Sequence, residues 1–111
     1  MLGAILVGLA LAGLVYLAYR VTTAFLRNYR KKKQSQIILA EVGDMIHQMP
    51  NKEKRKFSLE DLDEISDEQI IAEYNEDTDE VVQAQFVGSE GIDSNIQRAL
   101  NNNDGFIIIE D

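Results

Sequence analysis

The chain has 111 residues, 45% of them hydrophobic, with one proline, no cysteine and a formal net charge of −8. That length holds one small domain beside a membrane segment rather than two independent cores, and the missing cysteine excludes a disulfide framework and any thiolate metal site. The charge divides sharply: residues 1–33 carry six cations and no acid, whereas residues 34–111 carry all 19 acids against five cations, a basic collar followed by an acidic tail.

The first element is an apolar run. From Met1 to Tyr19 no side chain is charged, and nineteen helical residues rise about 28 Å, close to the roughly 30 Å hydrocarbon core of a bilayer. The expectation is a transmembrane helix over residues 1–26, with Arg20 snorkelling to the headgroups and Tyr16, Tyr19 and Phe25 near the interface. Ala10-Leu11-Ala12 imitates a signal-peptide cleavage site, but a signal peptide opens on cations and this chain places its cations after the apolar run. Ala4, Gly8 and Ala12 recur every four residues, a small-residue face suited to close helix packing and hence to pairing with a second copy or another membrane subunit.

Arg27, Arg30, Lys31, Lys32 and Lys33 form the collar at 27–33, expected to contact lipid headgroups and to set the topology. The positive-inside bias then predicts a single-pass protein of the cytoplasmic membrane, N-terminus outside and C-terminus in the cytoplasm. Neither a run of interleaved stacking aromatics nor an RNA-binding motif accompanies these cations, so nucleic acid is not an expected partner.

Residues 34–49 place Ile38, Val42, Met45, Ile46 and Met49 at helical spacing, which predicts an amphipathic juxtamembrane helix whose apolar stripe docks either on the chain's own tail or on a partner. Pro50 stops it, and residues 50–56 read as a charged linker. Residues 57–111 carry 16 acids and one cation, Arg98, and are expected to be a small acidic helical domain, marginal in size without staples. Ser58 to Asp61 and Ser66 to Gln69 both resemble helix-start signals, the second introducing Ile70, Ile71 and Tyr74. A short helix is expected over 79–87, ended by Gly88, and another from Asp93 or Ser94 carrying Ile96 and Leu100. Asn101 to Gly105 is a turn, and Phe106, Ile107, Ile108 and Ile109 read as a short strand or an extended docking peptide.

The fold class expected is therefore mainly α: a single N-terminal transmembrane helix, an amphipathic juxtamembrane helix, and an acidic cytoplasmic helical domain with a short C-terminal strand or extended tail. Catalytic, cofactor and metal sites are not expected. His47 is the only histidine and there is no cysteine to work with it. Asn75, Asp77 and Asp79 imitate the opening of an EF-hand loop, which then fails at Glu80 and Phe86, where glycine and a bidentate glutamate are needed. The expectation is a non-enzymatic membrane adaptor or assembly factor that recruits a cytosolic or integral protein partner, with the apolar stripe and Phe106 to Ile109 as contact residues. Two readings stand beside it: an accessory subunit of a membrane complex, and a tethered acidic inhibitor that imitates nucleic acid.

Overall fold

The computed structural model describes residues 2–30 and 34–109. Four strands, β1 (Ser35–Glu41), β2 (Gln69–Asn75), β3 (Glu80–Phe86) and β4 (Phe106–Ile109), form one antiparallel sheet in the order β3-β2-β1-β4. Helices cover both faces. On one side lie α1 (Leu2–Ala12), α3 (Val42–Gln48) and α5 (Leu59–Ile65); on the other lie α2 (Thr23–Tyr29) and α6 (Ser94–Asn102), while α4 (Asn51–Lys54) is a single turn after Pro50.

This architecture replaces the mainly α fold expected from the sequence. The stretch 34–49 is not one helix. Gln36-Ile37-Ile38-Leu39-Ala40 lies in a central strand, buried on both faces, and the helical spacing begins only at Val42. Ile38 and Ala40 join Ile70, Ala72 and Phe86 over the first face, where Leu6, Val7, Ala10, Met45, Met49 and Leu62 pack on them. Ile37, Leu39 and Ile71 face the other way, toward Leu17, Val21, Leu26, Ile96 and Leu100. The expected helices beginning at Ser66 and spanning 79–87 are likewise strands, β2 and β3, because Ile70 and Ile71 serve opposite faces of the sheet rather than one stripe. By contrast α5, α6 and β4 lie where their local signals put them: the Ser58 hydroxyl accepts from the Asp61 amide at 3.1 Å, and Asp93 is the N-cap of α6.

The expected membrane span is also corrected. Among the described residues no helix is long and apolar enough to cross a membrane. The 11 residues of α1 rise about 16 Å, half of what a bilayer core requires. Gly13, at φ 97°, turns the chain into a conformation costly for any residue with a Cβ, and the helix stops there. The apolar face of α1, with Leu6, Val7 and Ala10, is used up inside the protein core. A single-pass, N-out placement in the cytoplasmic membrane therefore has no helix to support it, and neither do the transmembrane features that followed from it.

After Gly13 the chain runs extended along the sheet. Leu17 donates to the Phe86 carbonyl at 2.8 Å, Phe86 donates to Val15 at 3.0 Å, and Val21 donates to Gly91 at 2.9 Å. Gly88 permits this close approach, since a methyl group there would collide with the Leu17 carbonyl oxygen. At the same end of the sheet Glu41 Oε1 accepts from Gln69 Nε2 at 2.9 Å and from Gln97 Nε2 at 3.0 Å, tying β1, β2 and α6 together.

Candidate functional site

Because α6 carries the chain from β3 across to β4, the two edges of the sheet are built differently. At the β3 edge the 15–17 segment pairs with Phe86, whose ring lies 5.1 Å from that of Tyr16, and the register slips between Glu73 and Tyr74 so that Val82 bulges. A covered end and a bulge are devices that blunt an edge. Among the described residues the β4 edge has neither.

Strand β4 pairs through Ile37↔Ile109, Ile38↔Ile108, Leu39↔Ile107 and Ala40↔Phe106, and Glu41 donates to the Gly105 carbonyl at 2.7 Å. Antiparallel pairing alternates, so Ile107 and Ile109 spend their polar groups on β1 while Phe106 and Ile108 turn theirs outward. The Phe106 amide is taken by the Asn103 carbonyl at 3.2 Å. That leaves the Ile108 amide and carbonyl and the Phe106 carbonyl on the open edge. Ile108 is 46% exposed, and Ala99 and Asn103 of α6 form with Phe106 to Ile109 a shallow apolar cleft beside it.

A second feature lies under α2. The Thr22 hydroxyl caps this helix by accepting from the Phe25 amide at 3.0 Å, and Leu26 and Tyr29 then bury against the sheet. Beneath them Glu73 is fully buried, opposite Ile37 on β1 and Gln83 on β3, and Ser35 is 2% exposed with no hydrogen-bond partner for its hydroxyl among the described residues. Burial pushes the Tyr29 hydroxyl up to about 12, the Glu73 charge pushes it further in the same direction, and the Gln83 side chain opposes the rise. Tyr29 thus stays neutral across the physiological range, unsuited to act as a base or nucleophile.

Between α2 and α6, above β1 and β4, opens a cavity of about 310 Å³. Thr23, Arg27 and Arg30 supply its polar groups, and Leu26, Ile37, Ile96 and Ile109 its apolar walls. Among the described residues no acid lines it.

The residues singled out in the sequence are dispersed by the fold. Ala4 packs partly against the core, Gly8 is half-buried and Ala12 is exposed, all on α1. Arg27 and Arg30 meet at the cavity, while Lys31, Lys32 and Lys33 lie outside the described residues. Ile38, Val42, Met45 and Met49 are buried in the core with Ile46 packed beside them, so they present no open surface; Phe106 to Ile109 form the open edge. Asn75, Asp77 and Asp79 shape the β2–β3 hairpin: Asn75 accepts from the Asp77 amide at 3.0 Å, and Asp79, at φ 56°, accepts from the Tyr74 hydroxyl. Among the described residues no cluster of acidic or histidine side chains is placed to hold a metal ion. Sequence reading passed over Tyr29, Ser35 and Glu73, although a single acid inside Ile70-Ile71-Ala72-Glu73-Tyr74 was a signal that could have flagged one of them.

Comparison with protein-family models, characterised proteins and solved structures finds no match for this chain. Its function has to be read from the geometry alone.

Proposed function

We propose that this chain is a non-enzymatic binding module that takes an extended peptide of a partner protein onto the outer edge of β4. The observation that carries the reading is the contrast between the edges: β3 is bulged and partly covered, whereas β4 offers an unguarded run of Phe106 to Ile109 beside an apolar cleft. Main-chain hydrogen bonds to Ile108 and Phe106 would supply affinity, and the cleft would select alternate apolar side chains. Charge selects the occupant further. Asp104 precedes β4, Glu110 and Asp111 follow it in sequence, and the chain as a whole is at −8, so the favoured peptide carries lysine or arginine at its ends. A second copy fits less well, since antiparallel self-pairing that sets Phe106 opposite Ile108 also sets Asp104 opposite Glu110.

Replacing Ile108 by proline removes the outward amide without touching the ladder to β1, a position where an edge strand tolerates proline. Selection of a random peptide library on the full chain is expected to enrich apolar peptides flanked by cations. Their binding should be lost in Ile108→Pro while its thermal unfolding stays close to that of the parent. Peptides that bind Ile108→Pro as well as they bind the parent, or a selection dominated by acidic peptides, would overturn the reading.

A further inference from the structure

We infer that the cavity between α2 and α6 is a binding site for a small amphiphilic carboxylate, a free medium-chain fatty acid in chemical class, separate from the peptide edge. Its volume of about 310 Å³ lies at the lower end of the roughly 300–1,000 Å³ usual for small-molecule sites, enough for one acyl chain and too small for a paired-chain lipid. The walls sort by chemistry. Leu26, Ile37, Ile96 and Ile109 are all aliphatic, and among the described residues no aromatic ring lines the space, so it suits a saturated chain rather than a base or a ring that would need a stacking partner.

Arg27, in the last turn of α2, and Arg30, its extended C-cap, both line the cavity, with Thr23 one turn before Arg27. Among the described residues two guanidinium groups line the cavity and no carboxylate does, notable in a chain that holds 19 acids and 11 cations. An anion is the complement, and a planar carboxylate matches the arginine fork in two parallel hydrogen bonds. Arg30 is already engaged within the chain, so Arg27, exposed on α2, is assigned the head group, Thr23 a supporting hydrogen bond, and Arg30 a fixed charge behind them.

Calorimetric titration of the full chain with decanoate, decanol and butanoate tests the assignment. Decanoate is expected to bind saturably at a single site, and both decanol, which lacks the charge, and butanoate, which lacks the tail, about tenfold or more weakly. Arg27→Ala should weaken decanoate by about tenfold while the ligand-free protein unfolds as before. Thr23 is exposed at the cavity wall, so Thr23→Trp should block the site without disturbing the core. Decanol binding as tightly as decanoate would overturn the assignment, as would full decanoate affinity in Arg27→Ala. Binding to anionic phospholipid vesicles with none to free decanoate would also overturn it.

Discussion

The Tyr29 hydroxyl is buried against the sheet and raised to about 12, first by burial and then by the nearby Glu73 charge. Below pH 10 the phenol is neutral in both folded and unfolded chains, and its contribution to stability is fully present. Between about 10 and 12 the unfolded chain ionises first and the folded chain resists, so stability falls as the pH rises through this window. Two pKa steps correspond to on the order of 2 kcal/mol. Tyr29→Phe removes the group, so urea unfolding at successive pH values should show the parent losing about 2 kcal/mol more than the variant from pH 10 to pH 12. Tyr16 and Tyr74, raised by hydrogen bonds to Glu68 and Asp79, titrate in both proteins and cancel in the difference. Parallel curves for parent and variant would show that Tyr29 is not buried as described.

Helix α1 tests the fold at the scale of an element. An uncharged run of nineteen residues meets the requirement of a bilayer and equally that of a buried helix followed by an extended segment, and composition alone does not separate the two. What separates them is where the chain ends its helix, at Gly13, and whether the rest of the protein offers a face to receive it. Leu6 is fully buried in the cluster that holds Met45, Met49 and Leu62, so Leu6→Ala should lower the urea-unfolding free energy by about 2–5 kcal/mol. An unchanged value would mean α1 does not belong to the core. The same physics explains which elements could be read from the sequence. Helix α6 and strand β4 were legible because Asp93, the Asn-rich turn and the terminal Phe106-Ile-Ile-Ile109 are local signals. Strands β1 and β2 were not, because a strand buried on both faces shows no alternation, and Ile38 together with Val42 and Met45 gives a false helical stripe across the boundary between β1 and α3. The burial of Tyr29 near the Glu73 charge, and the meeting of Arg27 with Ile96 and Ile109 at one cavity, depend on sheet order, which no local signal encodes.

For the whole molecule the dominant long-range term is charge. The radius of gyration is 13.4 Å, near the roughly 13 Å expected for a domain of this length, so the net −8 is confined to a space comparable with the screening length in dilute salt. The acids are concentrated on exposed positions of α5 and the β2–β3 hairpin, among them Asp61, Asp63, Glu64, Glu76, Asp77, Asp79 and Glu80. Among the described residues the ion pairs Arg20–Asp93 at 2.7 Å and Lys56–Glu53 at 3.2 Å each join an exposed cation to a half-exposed acid near the surface, where a pair contributes up to about 1 kcal/mol and is itself screened. Folding gathers the acids, unfolding disperses them, and repulsion therefore weighs against the folded state. Raising sodium chloride from about 0.01 M to about 1 M shortens the screening length from about 30 Å to about 3 Å, so the urea midpoint is expected to rise with salt. Glu64 is exposed near the C-terminal end of α5, where a cation suits the helix dipole. Glu64→Lys should raise stability at low salt by about 0.3–1 kcal/mol and make the salt dependence shallower. A midpoint that falls as salt is added would show that attraction between opposite charges outweighs the crowding of acids, and with it the electrostatic reason for assigning a basic peptide to β4.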